Sequence, residues 1–261
     1  MTIYGIERIR EYLGSFKSSY VIIGGTATNI NLDANDLMGR TTHDIDMIVV
    51  CEAMSTDYIQ RFWEMIRTAG YQPGIIKTED GLKRTYYRFD NPKDKSFPKY
   101  IELFCRVPDT ITVPDDIHLV HLSNEEDYLS SFSAIMMDDE YYHFAVSHIT
   151  EIHGVQVLDK FALIALKAKA YVSNYDRKVA GGHVQQDDID KHKKDVYRIS
   201  FILDENNDRV QLPEGIKRDM HTFIDYIERN PINTQSLAKY MGAGNLSQEE
   251  LIERLKLIFG L

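Results

Sequence analysis

The chain has 261 residues, 43% of them hydrophobic and 27% charged, the composition of an ordinary globular protein with enough length for one large domain or two modest ones. A formal net charge of −10 argues against a protein that coats nucleic acid non-specifically, because counterion release needs clustered cations. Two cysteines, Cys51 and Cys105, both in apolar strand-like runs, imply no disulfide framework; no run is long enough for a membrane-spanning helix, and the first sixteen residues contain no secretory h-region. These features predict a cytoplasmic protein with no membrane partner.

From Gly5 to Phe16 the apolar residues Ile6, Ile9, Tyr12 and Leu13 recur at a helical period. A strand from Tyr20 to Ile23 runs into Gly24-Gly25, and Thr26 to about Leu37 suits a helix with Thr26 near its N-terminus. Ile45 to Val50 forms a second apolar strand. Ser55 can cap a helix from Thr56 to Thr68, which Gly70 closes. From Gly74 to Arg106 the chain is strand-like, with runs at Gly74 to Glu79, Leu82 to Phe89 and Tyr100 to Cys105, separated by turns at Glu79-Asp80-Gly81 and Asn91-Pro92-Lys93-Asp94. Beyond about residue 155 the pattern is helical, at Leu158 to Val172, Ile189 to Leu203, Ile216 to Glu228, Thr234 to Met241 and Gln248 to Phe259. Asn174 to Gln186, which contains Gly181-Gly182, reads as a mobile connection. The fold class is therefore α/β (α+β): a mixed-sheet domain over residues 1–154, then a helical domain over residues 155–261.

Asp44 and Asp46 stand two apart at the head of an apolar strand, so both carboxylates share a face while Ile45 and Met47 point into packing. Like charges about 5 Å apart at an effective dielectric of 20 repel by roughly 3 kcal/mol. A divalent metal with oxygen preference answers that repulsion; a solvated strand end, with the aspartates serving a turn and a cap, is the plain alternative. Upstream, Gly24-Gly25-Thr26 joins a buried strand to a helix, where backbone N–H groups and the Thr26 hydroxyl can hold a phosphate. Glycines also serve a tight turn, and the stretch is neither a Walker A loop nor a dinucleotide fingerprint. Downstream, Glu102 is a carboxylate in an otherwise apolar strand, where Tyr100, Glu102 and Phe104 share a face. It is either a third metal carboxylate or the partner of Arg84 or Arg88 in a salt bridge. Between Lys160 and Arg198 nine Lys/Arg face five Asp, which makes either a triphosphate or polynucleotide groove or a set of solvated, ion-paired helix faces.

Together these residues resemble the nucleotidyltransferase superfamily that includes the catalytic domain of DNA polymerase β. That superfamily combines a strand, a Gly-Gly or Gly-Ser turn, a helix, a D-x-D strand and a third acid on a later strand. The closer resemblance is to AbiEii-type nucleotidyltransferases, the toxin components of type IV toxin–antitoxin systems. It is carried by Gly24-Gly-Thr-Ala27 and by Arg40-Thr-Thr-His-Asp-Ile-Asp46. Ala165-Leu-Lys167-Ala-Lys169-Ala, Arg177 and Lys194-Asp195 match that family's helical segment and its Lys-Asp pair opening another helix; the whole covers roughly residues 20–200. Two features depart from the pattern: the third acid is Glu, and the stretch between Arg177 and Lys194 is longer and more polar.

The resemblance implies a nucleotidyltransferase fold and the transfer of a nucleoside monophosphate from an NTP to an acceptor hydroxyl. It implies two Mg²⁺ ions held by Asp44, Asp46 and Glu102, with Glu102 alternatively a general base. Gly24, Gly25 and Thr26 would hold the β- and γ-phosphates, Lys167 would reach the triphosphate, and Arg40, Lys194 and Asp195 complete the implied nucleotide site. The acceptor is a tRNA 3′ end or a protein hydroxyl, and a toxin implies an antitoxin partner. His43 faces opposite Asp44 and reads as structural. Competing readings are an aminoglycoside-type small-molecule nucleotidyltransferase, a non-catalytic nucleotide-binding relative, and a regulatory module in which Asp44-Ile-Asp46 is a turn. A serine or cysteine hydrolase is disfavoured, because no G-x-S-x-G occurs and Cys105 has no partner histidine nearby in sequence.

Overall fold

A computed structural model describes residues 3–78, 81–105 and 138–261 of the chain. The described residues form a mixed seven-stranded sheet, with helices packed around it and a helical segment after it. Helix α1 (Ile6–Leu13) precedes strand β1 (Tyr20–Ile23), helix α2 (Gly24–Asp33) and strand β2 (Asp44–Val49). A short 3₁₀ turn at Cys51–Ala53 leads to α3 (Thr56–Ala69), then β3 (Gln72–Thr78), β4 (Gly81–Asp90) and β5 (Tyr100–Cys105). Helix α4 (Asp139–Ser147) and the hairpin β6 (Ile149–Ile152) and β7 (Val155–Leu158) follow. The chain ends in α5 (Lys160–Val179), α6 (Gln186–Ser200), α7 (Glu214–Arg229), α8 (Thr234–Met241) and α9 (Gln248–Phe259).

The strand order is β3-β4-β5-β2-β1-β7-β6. Strands β2 and β5 are parallel, as are β1 and β7; the remaining neighbours are antiparallel. One face of the centre is apolar: Ile45 and Met47 of β2, Ile101 and Leu103 of β5, and Phe89 of β4 are buried there. The Tyr58 hydroxyl of α3 approaches the Met47 sulfur, and Phe62 and Trp63 pack edge-on to Phe89, so α3 covers that face. Ser55 caps α3 by accepting a hydrogen bond from the Tyr58 N–H at 3.1 Å, and Gly70 ends it in the left-handed conformation.

The helix predicted from Thr26 starts at Gly24, because the Gly24 backbone itself makes the turn out of β1. Predicted strands and helices otherwise lie within a few residues of those observed, and the bounds of α8 and α9 coincide with the prediction. The sheet continues past residue 154, since β7 pairs with β1 at Ile22 and Val157, and the helical segment begins at Lys160. Residues 174–179, read as part of a mobile connection, are the last turns of α5. Cys51 lies in the 3₁₀ turn after β2, not in a strand. Glu79 and Asp80 of the predicted turn, and Arg106, lie outside the described residues.

Helix α2 is held to the sheet by Asn31, which is buried and donates to the carbonyls of Ala27 at 2.9 Å and Leu158 at 3.0 Å. Asn31→Ala deprives the buried Leu158 carbonyl of that donor and is expected to cost about 1–3 kcal/mol. Urea unfolding checks this; an unchanged midpoint would show that the α2–β7 link carries no stability.

Candidate active site

Strand β1 is buried along its whole length and stops at Gly24, where φ is +69°. A Cβ built on Gly24 would lie 1.9 Å from Oδ2 of Asp46, so the left-handed backbone and the carboxylate contact both require glycine. On Gly25 a Cβ would lie 2.4 Å from Nη2 of Arg40. No side chain caps α2, and its first turn carries no acid. The Thr26 hydroxyl donates to the carbonyl of Asp44 at 2.5 Å, tying the start of α2 to the start of β2. The hydroxyl proton of Thr26 therefore goes to backbone.

Asp46 stands opposite Ile23 on one side and Glu102 on the other, and Asp44 stands opposite Tyr100. Arg88 of β4 stands opposite Glu102. Opposed residues share a face, as do residues two apart on a strand, so Asp44, Asp46, Tyr100, Glu102 and Arg88 form one polar patch. Both earlier readings of Glu102 meet here. It neighbours the two aspartates, and its Oε1 pairs with Arg88 Nη1 at 3.3 Å. The Arg88 guanidinium carbon and the Lys99 ammonium lie 4.6 Å and 4.9 Å from the Tyr100 ring centre. Burial, then the negative charges of Glu102 and Asp44, push Asp46 from the ordinary 3.8 up to about 7, with Lys167 opposing. Burial raises Glu102 as well, with Arg88 opposing and Asp44 adding to the rise.

Three carboxylates on one face, two of them raised by burial and by the charge of neighbouring carboxylates, are a donor set suited to a hard divalent cation. Among the described residues, however, no group of three or more His, Cys, Asp or Glu side chains is arranged to hold a metal as it stands. Glu102 would have to exchange Arg88 for the ion.

Three of the remaining predicted residues, Arg40, Lys167 and Asp195, meet in a second cluster. Asp195 of α6 is fully buried; its Oδ2 accepts from Lys167 Nζ of α5 at 2.9 Å and its Oδ1 from Arg198 Nη1 at 2.8 Å. Arg40 approaches the same carboxylate with Nε at 3.4 Å. Burial alone would raise Asp195, but Lys167, Arg40 and Arg198 outweigh it and hold the group far below the usual carboxylate range. Burial lowers Lys167 from its usual 10.5, against the support of Asp195. His192, one turn away, is held well below the usual imidazole value by burial and by the charges of Lys167 and Lys191.

Lys167 is thus buried in an ion pair with Asp195, and its charge is felt at Asp46. Lys194 is half-exposed, makes no ion pair among the described residues, and lies with Asp195 mid-helix, not at a helix opening. The expected basic groove is largely neutralised: Lys160 pairs with Asp208, Lys169 with Asp219, Lys191 with Asp188 and Lys193 with Asp190. Sequence reasoning missed Asn29, which donates to the Arg40 carbonyl at 2.7 Å and packs where a Cβ on Gly39 would lie 2.0 Å from its Oδ1. It also missed Arg198, although the three-residue spacing from Asp195 was visible. Beside the patch, a cleft of about 350 Å³ is lined by Tyr4, His43, Asn91, Pro92, Lys95 and Lys99. The His43 ring meets Tyr4 edge-on with centroids 5.4 Å apart, a packing role in keeping with the structural reading.

No protein-family model matches the chain, and no curated protein matches it. Among solved structures, JHP933 from Helicobacter pylori is similar at 15% identity and a TM-score of 0.40, over 97% of this chain and 86% of that one.

Asp195→Ala strands Lys167 as a buried charge and is expected to cost about 3–5 kcal/mol in thermal or urea unfolding. Because Asp195 is depressed, its stabilisation is complete above the unfolded value near 3.8 and fades as pH falls below it. Acid should therefore destabilise wild type more than the variant; parallel pH curves would refute the assignment. Asp46 has the opposite sign, since its raised value makes the ionised form unfavourable in the folded state. Metal-free Asp46→Asn is expected to be more stable than wild type by up to about 4 kcal/mol at pH 8, with the gap closing toward pH 4. A gap that does not change with pH would count against the crowded-carboxylate account.

Proposed function

We propose that the chain is a metal-dependent nucleotidyltransferase of the AbiEii type, with a nucleotidyltransferase fold, a helical C-terminal domain and Mg²⁺ as its metal. The observation that carries this reading is the register that sets Asp46 beside Glu102, with Asp44 two residues earlier, where β1 turns through Gly24-Gly25 into α2. An uncapped helix start beside three carboxylates supplies phosphate donors next to oxygen ligands for a divalent cation. Asp44, Asp46 and Glu102 would hold Mg²⁺, which when bound lowers the acceptor hydroxyl's pKa and neutralises the departing pyrophosphate. In the reaction the acceptor oxygen bonds to the α-phosphorus, the bond from that phosphorus to the bridging oxygen breaks, and pyrophosphate leaves. The hydroxyl proton passes to a carboxylate of the patch.

Gly24 and Gly25 let the backbone approach the phosphates without side-chain interference. Arg40 pins the loop that carries β2 to the helical layer through Asp195. Lys95 and Lys99 line the cleft beside the patch, an unfavourable wall for a polycationic drug. This favours an RNA 3′ end or a protein hydroxyl over an aminoglycoside as acceptor. In the toxin reading the enzyme works in the cytoplasm and is held in check by an antitoxin.

The test is label transfer from each α-labelled NTP, with Mg²⁺, total tRNA and the protein itself as acceptors. Wild type should label RNA or protein, and Asp46→Ala or chelation of Mg²⁺ should lower the rate by about 100-fold or more. Transfer that survives both changes would refute the assigned site. Absence of both transfer and Mg²⁺-dependent nucleotide binding would refute the function.

A further inference from the structure

The nucleotide reading leaves the triphosphate without its expected cation, since Lys167 is buried and bound to Asp195. Helix α6 offers another. Lys191 lies four residues before Asp195, hence on the same face one turn toward the helix N-terminus, about 6 Å away. That face is fixed in place: Asp195 meets Arg40, whose guanidinium lies against Gly25, and α6 packs against α2. Lys191 therefore lies near the face of α6 that meets Arg40 and α2. Its charge is felt at both Asp46 and Glu102.

The local environment of Lys191 is that of a ligand-binding cation. Its Nζ pairs with Asp188 at 2.9 Å, and the two side chains are 41% and 54% exposed. An exposed helical pair of this kind contributes a few tenths of a kcal/mol, so a multiply charged phosphate can displace Asp188. Lys167, in contrast, is buried and bound to a buried carboxylate.

From this placement we infer that Lys191 is the cation that takes the β- and γ-phosphates of the bound NTP, the role that sequence assigns to Lys167. The inference rests on the nucleotidyltransferase reading and names the residue that distinguishes an NTP from an NMP. Lys191→Ala leaves the buried Asp195 cluster intact, so the folded protein can be assayed directly.

Titration calorimetry on the full chain with Mg²⁺ tests it, using ATP, GTP, CTP and UTP and their monophosphates as probes. Lys191→Ala is expected to weaken the preferred NTP about ten-fold while leaving its NMP unchanged. Lys191→Arg should restore most of the loss, and Asp188→Ala should bind the NTP at least as tightly as wild type. Unchanged NTP affinity in Lys191→Ala, or equal losses for NTP and NMP, would overturn the inference while the wider function stands. A wild-type chain that binds no NTP overturns both.

Discussion

Asp195 is the constraint on which the relation between sheet and helices depends. A fully buried carboxylate is tolerated only with cations and hydrogen bonds around it, and its three cations come from three parts of the chain. Arg40 comes from the loop between α2 and β2, Lys167 from α5 and Arg198 from α6 itself. Replacing such a buried cluster with apolar side chains often costs little stability; here its geometry determines position. The Arg40 guanidinium also lies against Gly25, and the Arg40 carbonyl accepts from Asn29. One buried charge thereby ties the turn after β1, the approach to β2 and the helical layer together.

The second constraint is hydrophobic and acts on the carboxylates from behind. Ile45, Met47, Ile101 and Leu103 are buried against the α3 side, and a one-residue slip of β2 against β5 would carry Ile45 and Met47 to the wrong face. The register that satisfies the core therefore forces Asp46 beside Glu102, at a strand spacing near 5 Å. Repulsion in the patch is a consequence of packing on the opposite side of the sheet. The proton affinity of Asp46 records that conflict, and the side chains cannot relieve it by moving apart along the strands.

Most of the fold was legible because its signals are local. Ser55 and Gly70 bracket α3, and apolar periodicity located α8 and α9. The hairpin β6–β7 was missed, since its turn, His153-Gly154 with φ of +53° and +76°, joins strands of four residues each, too short for a periodic signal. At the site, Asp44, Asp46 and Glu102 were legible as chemistry, and Glu102 as their neighbour only as one of two readings, because the β2–β5 pairing spans more than fifty residues. The burial of Lys167 was not legible for a related reason. Its burial depends on Asp195 and Arg40, which come from separate parts of the chain, and a lysine in an alanine-rich helix gives no local sign of such partners.

The rules that guide folding elsewhere are broken in one small region. Helix α2 starts without a side-chain cap, on a glycine in the left-handed conformation, and the central strands β2 and β5 carry carboxylates where the neighbouring positions are apolar. Any one of these would be an ordinary irregularity. All of them meet at the end of β1, near the buried pair of Lys167 and Asp195, while Lys191 of α6 is held only by a surface pair. A chain selected for stability alone would cap the helix and replace the carboxylates. Retaining all these costs at one point, within a fold that is otherwise locally consistent, is the pattern expected where structure has been shaped by a ligand.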